Sequence, residues 1–245
     1  MLVARDLSLA FRKQTVLAPC DLAVSPGSCI GLVAPNGVGK TTLLSALAGL
    51  RVPGAFRELA ADDVSVTRRA AYRRAVFFAP GDGSLLYPDL TAAEHLRLLA
   101  RFWDLDLDVK GAMERFGLAA YGSKRVRSYS QGMRQSLVLS LAFSSGARYL
   151  LLDEPLNALD PGRSEEAEGW VRNAASEGRG VVVSSHLLDS QDRVADVLWL
   201  MGNGAVREVA ATKATARQQY RRAFGAEGPA SDTAAPGRAP RHMRP

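Results

Sequence analysis

The chain has 245 residues, 47% of them hydrophobic and 23% charged, a balance that excludes a chain disordered throughout. No run of about 18 apolar residues is present to encode a membrane-spanning helix. The net charge of +6 is concentrated at one end: residues 211–245 hold seven basic and two acidic side chains, which leaves the body nearly neutral. Such a basic tail suits anionic lipid headgroups or RNA, or is simply solvated. Cys20 and Cys29 form no CxxC pair, which excludes a disulfide scaffold and argues against a cysteine-based zinc site. The segment MLVARDLSLAF lacks the features of a signal peptide, so the expectation is a soluble cytoplasmic protein that reaches a membrane only through a partner.

Apolar stretches at 2–9 and 22–33, with the turn signal Ser25-Pro26-Gly27, read as strands. A Gly-rich turn follows, and Lys40 to Leu50 has helical spacing stopped by Gly49, Pro53 and Gly54. Residues 55–79 read as short strands with a charged connector. The spacing predicts a helix over 91–103, with Thr91 as N-cap and Glu94 three residues on in a capping-box pattern. Further helices are predicted over 108–116, from Ser130 to about Ser145, and over 163–177. YLLLDEP (149–155), GVVVSSH (180–186) and VLWLM (197–201) are continuous apolar runs of the kind buried in parallel sheets. Alternating strands and helices imply an α/β fold. From Gly225 onward the composition is Ala, Gly, Pro and Arg, and disorder is predicted.

The segment Ala34-Pro35-Asn36-Gly37-Val38-Gly39-Lys40-Thr41-Thr42 has the pattern of a P-loop, except that the strict form has Gly where Ala34 stands. Gly37 and Gly39 let backbone N–H groups approach phosphate oxygens, and the following helix turns its positive end toward the same anion. Lys40 would reach the β/γ-phosphates, and Thr41 would give a hydroxyl to Mg²⁺. Downstream, Asp153 and Glu154 end an apolar strand. In a P-loop protein Asp153 would hold Mg²⁺ through water, and Glu154 would act as general base on the attacking water. His186 stands at the C-terminal edge of a strand, where α/β proteins place ligands, and can hydrogen-bond a γ-phosphate; in isolation a lone histidine is more often an ordinary surface or core residue. Ser130-Gln131-Gly132-Met133 opens the long helix. Ser130 is an N-cap in either reading, and the small Gly132 would allow an anion to approach the helix start.

These elements, in this order, resemble the nucleotide-binding subunit of ABC transporters over about residues 2–208. Walker A matches Ala34–Thr42 apart from Ala34, Walker B matches Leu150–Asp153 with Glu154, the D-loop matches Ala158-Leu159-Asp160, and the switch histidine matches His186. The LSGGQ signature is similar to Tyr129-Ser130-Gln131-Gly132-Met133, with departures at Gln131 and Met133. The family's adenine-stacking aromatic corresponds in place to Phe11, which also suits a core. The family's Q-loop glutamine is missing: VFFAP (76–80) leads into Gly81-Asp82-Gly83, so Asp82 could offer the metal an oxygen, or Gly81 is the aligned position.

The resemblance implies an α/β P-loop NTPase with a mainly parallel, RecA-like sheet, an antiparallel β subdomain and an ABC-type α-helical subdomain. It divides the chain into a nucleotide-binding domain over 1–210, with the helical subdomain at 82–145, a basic helix at 211–224 and a tail at 225–245. It implies an ATPase using ATP and Mg²⁺, working head-to-tail with a second nucleotide-binding subunit, identical or not. Ser130, Gln131, Gly132 and Asp160 of one copy would then cover ATP held by the other. It further implies a separate integral membrane permease, placement on the cytoplasmic face of the membrane and no nucleic-acid partner. The signature form leans toward export. The alternative is a non-transport ABC ATPase serving assembly, as in iron–sulfur biogenesis.

Overall fold

The computed structural model describes residues 1–11, 14–50, 54–211 and 214–225. Two sheets organise them. The first is antiparallel: β1 (Leu2–Phe11) lies between β2 (Gln14–Val24) and β5 (Glu58–Ala61), β6 (Val64–Ser65) extends it beyond β5, and the short β4 (Gly54–Ala55) also pairs with β1. The second contains β3 (Cys29–Val33), β7 (Val76–Ala79), β8 (Tyr149–Asp153), β9 (Gly180–Ser184), β10 (Val197–Gly202) and β11 (Ala205–Ala210), in the order β11-β10-β3-β9-β8-β7. Its pairs are parallel except the β10–β11 hairpin.

The parallel strands β3, β8 and β9 are buried at every position, as their unbroken apolar runs require. Side chains alternate between two cores. Leu150 and Leu152 face α3 (Ala92–Trp103), α5 (Gln131–Ser144) and α6 (Pro161–Ser176) through Leu96, Leu137, Leu141 and Val171. Tyr149 and Leu151 face α1 (Lys40–Leu47) and the antiparallel sheet through Leu43, Leu44, Leu7 and Leu9. The sheet is thus covered on both faces, and the C-terminal ends of β3, β8 and β9 open on one edge.

Between β7 and β8 the chain is helical: α3, α4 (Val109–Arg115), a 3₁₀ turn (Val126–Ser128) and α5. Thr91 caps α3 with its hydroxyl on the Glu94 N–H while the Glu94 carboxylate takes the Thr91 N–H, the capping box expected from sequence. Ser130 caps α5 by accepting from the Met133 N–H.

Four expectations are corrected. Residues 69–75 form a helix, α2 (Arg69–Ala75), rather than part of a strand segment; Tyr72, its buried residue, anchors it by donating to the Leu47 carbonyl. β2 begins at Gln14, well before 22. Its alternation is broken by register shifts against β1, and it is an edge strand, which accommodates Pro19. The run 22–33 is two strands in different sheets, divided at the Ser25-Pro26-Gly27 turn. α7 (Leu188–Val194) and β11 were not anticipated. α7 buries Ser190 and Gln191 beside Leu188 and Val194, so its pattern is not apolar. β11 follows an Asn203-Gly204 turn with φ of 50° and 73°, a hairpin signal present in the sequence. The last helix, α8 (Ala216–Phe224), packs Tyr220 against Leu188, Leu198 and Leu200. The expected disorder from Gly225 concerns residues 226–245, which lie outside the described residues.

Candidate active site

The phosphate side is built where β3 runs into α1. Gly39 is the N-cap of α1 at φ 114°, a left-handed position that a side chain would strain, and its missing Cβ keeps clear of Val16. Ala34 keeps an ordinary backbone angle, so the departure from glycine is accommodated, and its carbonyl accepts from Lys40 Nζ at 3.5 Å. Pro35, Gly37, Gly39, Lys40, Thr41, Thr42, Asp153 and Glu154 line one pocket. Asn36, Gly37, Val38, Gly39 and Thr42 line an adjoining one with Thr15, Val16, Asn203 and Gly204. Phe11 ends β1, but the expected stacking by its ring lies outside the described residues.

The charged groups of this corner are paired with one another. Lys40 Nζ lies 3.4 Å from Glu154 Oε1, with the two side chains 9% and 18% exposed. His186 Nδ1 lies 2.9 Å from Glu154 Oε2, and the His186 backbone N–H donates to the same oxygen. Thr41 Oγ1 donates to Asp153 Oδ2 at 2.5 Å, and Ser184 Oγ donates to Asp153 Oδ1 at 2.6 Å. Ser184 Oγ also accepts from the Glu154 N–H at 2.9 Å. Glu154 itself has φ 46°, a left-handed conformation that costs a residue with a side chain about 1–2 kcal/mol. Ser184, fully buried, is the residue that sequence reading missed; its signal was a hydroxyl at the end of a buried strand, two residues before His186.

The donor set fits a small hard cation. A threonine hydroxyl and a carboxylate converge at hydrogen-bond distance beside a phosphate-type loop, and Mg²⁺ is commonly held by one or two such oxygens together with phosphates and water. Asp82, the other metal ligand expected from sequence, is not among the residues that line this pocket. It is exposed, and the Ser84 side chain together with the Ser84 N–H, which donates to Asp82 Oδ1, holds its carboxyl below the usual range.

The signature residues form a separate pocket. Ser130, Gln131, Gly132, Met133 and Asp160 line it with Tyr121, Ala158 and Arg163, and it shares no lining residue with the phosphate pocket. Gly132 approaches the chain after β8 so closely that a Cβ would stand 2.7 Å from the Ala158 carbonyl oxygen. Gln135 Nε2 donates to the Pro155 carbonyl, and Asp160 caps α6 through the Arg163 N–H. Arg163 in turn donates to the carbonyls of Phe116 and Gly117, which ties α6 to the end of α4.

A phosphate-binding turn at the carboxyl end of a parallel sheet, with a hydroxyl, two carboxylates, a lysine and a histidine around it, defines a P-loop nucleotide-binding protein. The chain belongs to the ABC transporter family, whose sequence profile matches residues 17–157. It is 35% identical over 218 residues to the cobalamin import ATP-binding protein BtuD of Halobacterium salinarum, covering 85% of this chain and 54% of that protein. It is 28% identical over 209 residues to the Nod factor export ATP-binding protein I of Cupriavidus metallidurans, covering 83% and 69%. The chain thus spans about half the length of the first of these relatives. A solved structure of an ATP binding subunit of an ABC transporter superposes with a TM-score of 0.79 at 26% identity, covering 92% of this chain and 94% of that one. Among the described residues no helix is long and apolar enough to cross a membrane.

Proposed function

We propose that this chain binds and hydrolyses ATP to power transport through a separate membrane permease, and that the transport is export. The observation that carries the ATPase reading is the convergence of Lys40, Thr41, Asp153 and Glu154 on one pocket, with His186 bonded to Glu154. The export reading rests on the signature form Tyr129-Ser130-Gln131-Gly132-Met133, while relatives named for import and for export both match. Residues 1–210 act as the nucleotide-binding domain, 82–145 as its helical subdomain and 211–224 as a basic appendage.

Lys40 holds Glu154 until a polyphosphate enters. Its ammonium then turns to the phosphates, and the carboxylate is released to take a proton from water as general base. His186 Nδ1 and the His186 N–H keep that carboxylate aimed into the pocket. Thr41 and Asp153 would hold Mg²⁺, which would neutralise charge on the phosphates. Ser130 and Gly132 face a different pocket of the same chain, so they serve an ATP bound by a second nucleotide-binding subunit. The partners are therefore that second subunit and an integral permease, which places the chain at the cytoplasmic face of the membrane.

Glu154→Gln tests this. The variant retains ATP binding, and its turnover falls by about 100-fold or more. Tagged and solubilised with native membranes in the presence of ATP, it copurifies a polytopic membrane protein in stoichiometric amount. Turnover equal to the parent sinks the general-base role. Recovery of a soluble partner from a membrane-free fraction sinks the transport role. Vesicles carrying the recovered permease then decide direction.

A further inference from the structure

Glu154 holds a left-handed backbone angle that its side chain disfavours, so its neighbours must impose it. From the β9 side, Ser184 bonds both the Asp153 carboxylate and the Glu154 N–H. From the β7 side, the chain passes Pro80 and reaches Gly81. A Cβ at Gly81 would stand 2.7 Å from the Asp153 carbonyl oxygen and 3.4 Å from Glu154 Cβ. The obstacle is backbone, which cannot swing aside as a flexible side chain would. Gly83 in the same turn is glycine for another reason: its φ is 72°, and a Cβ there would meet nothing within 4 Å. Of these two, Gly81 is the one that is glycine because of what it touches.

We infer that Gly81 is a positioning residue for Glu154. It closes on the Asp153–Glu154 peptide opposite Ser184, and together they set the carboxylate between Lys40 and His186. A side chain at 81 displaces that peptide. Asp153 keeps its carboxylate bonds to Thr41 and Ser184, so the displacement falls on Glu154. A glutamine at 81 has no room, and introducing it damages the site rather than repairs it. The inference rests on the reading of Glu154 as general base.

The test compares G81A, G81Q, S184A and G83A in the full chain. Hydrolysis gives kcat and KM, and calorimetry gives Mg·ATP affinity independently of turnover. G81A lowers kcat by about tenfold or more, as displacement of a catalytic group does, and G81Q lowers it further. S184A shows the same loss from the opposite side. In G81A and G81Q, Mg·ATP affinity stays within about threefold of the parent, because Lys40 and the loop at 34–42 still hold the phosphates and Asp153 keeps its bonds to Thr41 and Ser184. G83A strains the turn without touching Asp153 and keeps the parental kcat. The inference is overturned by parental kcat in G81A or S184A, by a gain in G81Q, by an equal loss in G83A, or by kcat and affinity falling together in G81A or G81Q. A parent chain that binds Mg·ATP but does not turn it over, or does not bind it, overturns the underlying function and the inference with it.

Discussion

The phosphate pocket and the signature pocket differ in how they meet an absent ligand. In the first, polar and charged side chains pair with each other: Lys40 with Glu154, Glu154 with His186, Thr41 with Asp153. In the second, the groups aimed at the cavity are a helix start and short polar caps, held by Gly132 against Ala158 and by Gln135 on Pro155. Buried charges must have partners, so the first pocket exchanges its internal pairs when a polyphosphate arrives. Backbone dipoles at a helix start need no such exchange. α6 and α7 join the two pockets. Asp160 begins α6 beside the signature pocket, α7 follows His186, and Arg193 of α7 makes two bonds of 2.6 Å to Glu168 of α6, which is 2% exposed.

Three substitutions probe this contrast. The largest effect belongs to Lys40→Ala, which removes the phosphate ligand and the partner of Glu154 together. Turnover should fall by about 1,000-fold, with ATP affinity reduced as well. Calorimetry and a phosphate-release assay measure both, and near-parental affinity would break the account of the responsive pocket. Next is Arg193→Ala, which leaves the Glu168 carboxylate buried without its partner. Half of the Arg193 side chain is exposed, so water recovers part of the loss, and urea unfolding should show about 2 kcal/mol of destabilisation. No change in the midpoint would remove the strut between the two regions. The smallest is Ser130→Ala, which deletes the N-cap of α5 and should cost about 1 kcal/mol. ATP affinity of the isolated chain should stay parental. A drop there would show that the two pockets are not independent within one chain.

Much of the site could be read before the fold was seen, because its parts are local. The run 34–42 specifies a strand-to-helix turn by its glycines, and Asp153 and Glu154 stand at the end of an apolar strand that can only be central. Thr91 and Ser130 declare helix starts by chemistry that acts over three residues. What could not be read has the opposite character. α7 buries Ser190 and Gln191, so tertiary packing overrides its pattern, and β2 loses its alternation to register shifts against a neighbour.

The sequence by itself determined the class of this protein: a parallel α/β sheet with a phosphate loop, two carboxylates and a histidine at strand ends, in the order of the ABC family. Only the tertiary structure decided how those groups are wired. Thr41 meets Asp153 across 112 residues of chain, and Glu154 meets His186 across 32. It left Asp82 exposed and bonded to Ser84, closed Gly81 on the Asp153 peptide, and set Ser130 and Lys40 in different pockets. The physical reason is range. Turns, caps and burial periods are set by residues a few positions apart, whereas distances of 2.5–3.4 Å between side chains exist only once the sheet has brought its strand ends together.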